Sequence, residues 1–244
     1  TQTLAITPTL ATYNGSVDNI SVRSVGSAQP NFVGLDDAGT IFTETRGKAS
    51  LYNTFSGLNS GIKNTVGTLN TGLGNNALAA NTVGFSNTAV GAGALDANII
   101  GQENVAVGDN ALGSNISGVE NVAVGSGALA SSTTIHENTA IGFQSLYSAT
   151  SNRNVAVGYK AGYGNTDGSS NVAVGYETLI SSTGSSNVGV GSRALANING
   201  NYGNNTAIGY QSGRYYATTT ALTDQTNSIF LGSDTRALAA TGVN

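Results

Sequence analysis

Beginning at Asn70, the chain alternates a short apolar phrase with a longer polar one at a nearly fixed interval. The phrases are NTGLG at Asn70, NTAVG at Asn87, NVAVG at Asn104 and Asn121, and NTAIG at Asn138. NVAVG at Asn154 and Asn171, NVGVG at Asn187 and NTAIG at Asn205 follow. Successive steps are 17, 17, 17, 17, 16, 17, 16 and 18 residues. A degenerate copy, NTFSG, starts at Asn53, and a stretched one, NSIFLG, starts at Asn227. After the repeat Gly comes a second small phrase, as at Ala111 and Leu112 or Ala128 and Leu129, and then a run of Ser, Thr, Asn and Gly. Such self-similarity marks units that cannot bury themselves singly and must stack.

Gly and β-branched residues fill the apolar phrase, which argues for strand and against helix. Seventeen residues suit one coil of two strands of about five residues with two tight corners. The predicted fold is therefore all-β, a parallel β-solenoid or β-roll. Gly91, Gly108, Gly125, Gly142, Gly158 and Gly175 are placed at one corner, where positive φ or close backbone approach is needed. Asn87, Asn104, Asn121, Asn138, Asn154 and Asn171 are expected to stack into side-chain amide ladders.

Within NVAVG, Val122 and Val124 point one way and Ala123 the other. A strand apolar on both faces is usually covered on both. One face can fill the solenoid. The other is expected to meet a second copy of the chain, and the small Ala column suggests itself as the face of close approach. Residues 1–52 do not follow the repeat and are expected to form a β cap or attachment region. NISVRSV at 19–25 and TIFTETR at 40–46 alternate like exposed strands there. Residues 53–213 form the repeat shaft. Residues 214–244 are expected to be an irregular terminal coil, a tip, or a junction to a further domain.

Composition narrows the function. Only 9% of residues are charged, and the net charge is -4. No basic patch speaks for nucleic acid. No apolar run approaches the roughly 18 residues of a spanning helix, so no membrane insertion is expected. With no Cys, disulfides and thiolate chemistry are excluded. The chain opens at Thr1 without a signal peptide, which suggests a processed chain or a fragment.

The phrases NTAVGAGAL, NVAVGDNAL, NTAIGFQSL and NTAIGYQSG resemble the β-roll heads of trimeric autotransporter adhesins. They resemble more closely the repeat shafts of phage tail fibres and related bacterial tail-fibre-domain proteins, where such repeats often run into a phrase like TNSIFLGSDTRALAATGVN, here 226–244. The resemblance covers residues 53–244, and the coil spacing favours the fibre-type relative over the adhesin heads. It implies an elongated, parallel homotrimer, intertwined or side by side. It implies extracellular placement, on a virion tail or cell surface, and attachment of a phage, injection machine or cell to a host receptor. A bacterial trimeric surface adhesin is the alternative. It implies no catalysis and no cofactor. A cleaved chaperone domain often follows in that family, so a matured or shortened chain is expected.

Equivalent positions stack into columns. After the repeat Gly stand Ala92, Asp109, Ser126, Phe143, Tyr159, Tyr176, Ser192 and Tyr210. Stacked Tyr can contact a receptor or glycan, pack against a neighbouring subunit, or fill a corner. Tyr159, Tyr176 and Tyr210 are candidate contacts, joined by Tyr215 and Tyr216 on an inserted stretch, 215–225. Before the repeat Asn stand Glu103, Glu120, Glu137 and Arg153, read as a solvated edge with Glu137 paired to Arg153, or alternatively as a site for a hard cation. His136 is the single His, which leaves neither a zinc site nor a catalytic triad. A glycan-degrading fibre is a further reading, but nothing singles out Asp96 and Asp109 as its carboxylate pair. Ice binding needs a regular Thr column, and Thr88, Thr139 and Thr206 are interrupted by Val.

Overall fold

A computed structural model describes residues 32–35, 41–46, 51–197, 203–214 and 226–235. Among the described residues, thirteen strands form one sheet in sequence order. They are β1 (Phe32–Leu35), β2 (Ile41–Arg46), β3 (Thr54–Ser56), β4 (Thr71–Leu73), β5 (Thr88–Val90), β6 (Val105–Val107) and β7 (Val122–Val124). Then come β8 (Thr139–Ile141), β9 (Val155–Val157), β10 (Val172–Val174), β11 (Val188–Val190), β12 (Thr206–Ile208) and β13 (Ile229–Leu231). From β3 onward every pair is parallel and in repeat register, so Ala106 lies beside Ala123 and Ala123 beside Ala140. The shaft is a parallel β-solenoid with coils of about 17 residues. At the amino end β1 and β2 pair antiparallel, and β2 pairs antiparallel with β3. That reversal sets an atypical element against the first coil. β2 matches the alternating stretch seen in the sequence, whereas 19–25 lies outside the described residues.

Each coil contributes one three-residue strand, not two longer ones. The second phrase is a stack of turns. Leu112 and Leu129 sit at φ 50° and 53°, in the left-handed region that interrupts a strand. The turns still bond coil to coil: the Leu95 N–H donates to the Ala111 carbonyl at 3.0 Å, and the Leu112 N–H to Ala128 at 2.9 Å. Backbone groups are thereby satisfied without extended geometry.

The core corrects the expected strand facing. Ala89, Ala106, Ala123, Ala140 and Ala207 are fully buried and point inward, against Leu78, Leu95, Leu112 and Leu129 from the turn side. The flanking Val, Thr and Ile of each strand point outward and are half-buried or exposed. The coil is too narrow for β-branched residues inside its strand side, because the Leu side chains already fill the space. Ala is small to admit Leu, not to admit a neighbouring chain.

The repeat glycines stand where the sequence places them. Gly91 and Gly108 have φ 137° and 135°. A Cβ on Gly91 would lie 2.3 Å from the Gly108 carbonyl oxygen. Both the dihedral and the contact demand glycine.

Asparagine ladders run through the interior. Asn87 Oδ1 accepts from the backbone N–H of Asn104 at 3.1 Å and from its Nδ2 at 3.1 Å. Asn104 Oδ1 does the same for Asn121 at 3.1 and 3.0 Å. A second ladder, Asn64, Asn81, Asn98 and Asn115, runs beside it.

Candidate functional site

The column after the repeat Gly changes character along the rod. Ala92, Asp109 and Ser126 give way to Phe143, Tyr159 and Tyr176. Because β8, β9 and β10 are in register, these three side chains are delivered to the same flank on successive coils. Phe143 and Tyr159 stack with ring centroids 5.5 Å apart and planes 11° apart. Tyr159 and Tyr176 stack at 5.2 Å and 8°. Each is exposed by about two fifths of its surface: 44%, 41% and 45%. Centroid separations beyond direct face contact of about 3.5–4 Å mean that the rings slip past one another and keep an outward margin.

Ser192 interrupts the column, and Arg193 covers its end. The Arg193 guanidinium lies 5.6 Å from the Tyr176 ring centroid. Its Nε donates to Glu177 Oε2 at 2.8 Å. Burial pushes the Glu177 carboxyl up, but hydrogen bonds from Arg193 and Tyr176 and the nearby positive charges outweigh this and hold it below its ordinary value. The Tyr176 hydroxyl is held above its ordinary value, chiefly by its hydrogen bond to Glu177. Tyr210 lies beyond, 53% exposed, with its hydroxyl accepting from Gln211 Nε2 at 2.7 Å. Tyr215 and Tyr216 lie outside the described residues.

The structure adds a second stack that the sequence reading missed. Tyr147 and Tyr163 pair at 5.3 Å and 11°. Both stand five residues after a repeat Gly, Gly142 and Gly158, so the column was open to the same alignment that found the first. Lys160 joins the two stacks: its Nζ is 5.4 Å from the Tyr159 centroid and 5.3 Å from that of Tyr163. Five aromatic rings and two cations thus share one flank over a few coils.

The Glu column takes the expected pairing where a partner exists. Arg153 Nε donates to Glu137 Oε2 at 2.8 Å, and both side chains are well exposed. Through that hydrogen bond and charge, Arg153 holds the Glu137 carboxyl below its ordinary value. Among the described residues, no three or more His, Cys, Asp or Glu side chains are grouped to hold a metal ion. His136 Nδ1 accepts from the Val119 N–H at 3.2 Å, a coil-to-coil structural bond. Asp96 is partly buried, which raises its carboxyl above the ordinary value. Among the described residues, no helix is long and apolar enough to cross a membrane.

Compared with known proteins, the chain matches no family model, no curated protein and no solved structure.

Proposed function

We propose that the chain is the shaft of a homo-oligomeric, most simply homotrimeric, attachment fibre that holds a receptor-binding surface away from a phage, injection machine or cell. One observation carries this reading: the outward face of the parallel sheet is an uninterrupted uncharged stripe. Its two columns run from Thr54 and Ser56 through Thr88 and Val90, Val105 and Val107, and Val122 and Val124 to Ile229 and Leu231. None of the outward positions in β3–β13 is charged. Ile141 and Ile208 are 40% and 46% exposed in the single chain. At about 4.8 Å per rung, the eleven strands extend the stripe over roughly 50 Å. A soluble chain gains by covering such a surface, and parallel copies side by side would cover it along their whole length. The number three and the extracellular placement come from the resemblance to tail-fibre repeat shafts. A trimeric bacterial surface adhesin would use the same architecture.

The test is native mass by light scattering or native mass spectrometry. The expected value is about three times 24.4 kDa. A folded monomer would reject the fibre reading.

A further inference from the structure

We propose that the corner patch formed by Val66, Val83, Ile99, Ile100 and Ile116 is a second contact face between copies, and that it packs against the outward strand stripe of the neighbouring copy. The proposal deepens the attachment-fibre reading and rests on it: it says which surfaces meet.

The patch lies away from the stripe, on the far side of a corner. Its residues stand 12 or 13 places after a repeat Asn, just before a corner Gly such as Gly101. Backbone bonds carry it from coil to coil. The Val66 N–H donates to the Thr82 carbonyl at 3.2 Å, Val83 to Ile99 at 3.2 Å and Ile100 to Ile116 at 3.1 Å. The five side chains are between 41% and 61% exposed in the single chain. In later coils the same two places are polar: Thr133 and Thr134, Thr150 and Ser151, Thr166 and Asp167. The patch therefore belongs to the four coils that start at Asn53, Asn70, Asn87 and Asn104.

A second copy is the occupant that fits. A ring of three copies closes through a heterologous contact, in which each copy shows different surfaces to its two neighbours. The stripe supplies one surface, and the patch supplies an uncharged apolar one in the same coils. The two are continuous around the corner, because Leu69, 58% exposed, and the half-buried Phe85 stand between them. Both are rows of uncharged side chains at one rung spacing, about 4.8 Å. A second copy has that spacing by construction, so its side chains stay between those of the patch over all four coils. A closed ring holds its copies at one height, which sets the patch opposite β3–β7. The outward residues there are Thr, Ser, Leu and Val, so the contact traps no charge.

The experiment uses the full chain. Val83→Lys with Ile100→Lys puts two charges into the patch. Asn75→Lys with Ala92→Lys puts two on the opposite corner of the same two coils. All four side chains are exposed, so both variants are expected to keep the parent's circular dichroism. The patch variant is expected to lower the native mass from about three times 24.4 kDa toward 24.4 kDa, and the control to leave it unchanged. The chain has no Cys, so an introduced thiol reports contacts between copies without background. Ile100→Cys coexpressed with Val105→Cys, or with Val107→Cys, is expected to give an oxidised dimer on a denaturing gel. Ile100→Cys alone is expected to run as single chains.

A patch variant that keeps an oligomeric parent's mass, or no mixed dimer with either stripe cysteine, would overturn this contact and leave the fibre reading standing. Unchanged mass with new protease cleavage within residues 1–31 would assign the patch to the chain's own amino-terminal segment instead. Dimers of Ile100→Cys alone would mean that patch meets patch. Equal loss of mass in the control would overturn the placement. A monomeric parent would overturn the fibre reading and this contact together.

Discussion

Asn87 and Asn98, eleven residues apart, donate their side-chain amides to one acceptor, the Gly101 carbonyl, at 2.8 and 3.1 Å. Asn70 and Asn81 do the same to Gly84, and Asn104 and Asn115 to Gly118. Each such carbonyl lies at a corner where the coil turns back toward its strand, and both of its lone pairs are used. Two buried amide ladders thus clamp the corner from both sides. Unpaired, these groups would cost more than their bonds gain, so the ladders define the register between coils.

The ladders are not equally essential. In the second column Ser132 and Ala149 replace Asn, so local interruption is tolerated there. The first column is Asn throughout the shaft, and each Asn Oδ1 also accepts the next coil's backbone N–H, as Asn104 does for Asn121. Asn98→Ala is expected to cost about 1 kcal/mol, and Asn104→Ala about 3 kcal/mol, because the latter orphans a buried backbone donor. Urea unfolding of the two variants checks the order; equal losses would mean that the backbone bond is dispensable.

Glycine is required at the corners for two reasons, and they can be separated. Gly125 has φ 132°, and a Cβ there would lie 2.5 Å from the Gly142 carbonyl oxygen. Gly93 has φ 64°, and its Cβ would meet nothing nearer than 3.7 Å. Gly93→Ala is expected to cost about 1 kcal/mol, the left-handed penalty alone. Gly125→Ala is expected to cost at least 3 kcal/mol, because backbone must move as well. Thermal unfolding measured side by side would show whether contact outweighs dihedral.

Period, strand class and the corner glycines were legible because identical residues recur at equivalent places. The Asn and Tyr columns were legible for the same reason. The facing of Ala123 was not, since alternation shows that Val122 and Ala123 point apart without showing which is inside. The answer depends on Leu112 and Leu129, which enter from the turn side and leave room only for a methyl group. Nor does the sequence announce that these Leu residues adopt positive φ, a conformation β-rich phrases rarely use. That geometry replaces the expected second strand with turns. The stack of Tyr147 on Tyr163, and Lys160 between two rings, follow from columns that become visible once the first aromatic column is aligned.

Two carboxylates couple the shaft weakly to acid. Glu137 and Glu177 are both held below the ordinary value of 4.5. A depressed carboxyl stabilises the fold fully above its unfolded value, and that stabilisation is lost as pH falls through the lower, folded one. The parent is therefore expected to lose stability as pH drops below about 4.5, by the same linkage. Glu137→Gln is expected to change this little, because the pair with Arg153 is exposed and screened. Glu177→Gln is expected to flatten the acid slope more, since Glu177 also accepts from Tyr176. Urea midpoints across the acid range test this; an unchanged slope in the Glu177 variant would place the acid sensitivity elsewhere.

The inward and outward positions of one strand make opposite predictions. Ala123 is fully buried against the Leu column, so Ala123→Leu must force new volume into a filled coil. Overpacking is expected to cost about 1–3 kcal/mol, propagated to the neighbouring coils through the parallel register. Val122 faces outward and is only half-buried, so Val122→Lys leaves the coil intact. Its ammonium can reach water in a single chain, but it would be trapped unpaired between copies. Val122→Lys, alone or with Val155→Lys, is thus expected to keep the parent's circular dichroism while lowering its native mass toward 24.4 kDa. Ala123→Leu is expected to lower the unfolding temperature. If the lysine variants keep the parent's mass, the outward stripe is not where copies meet. If they lose their fold along with their mass, the stripe is needed to hold the single coil together, and chain and assembly form in one step.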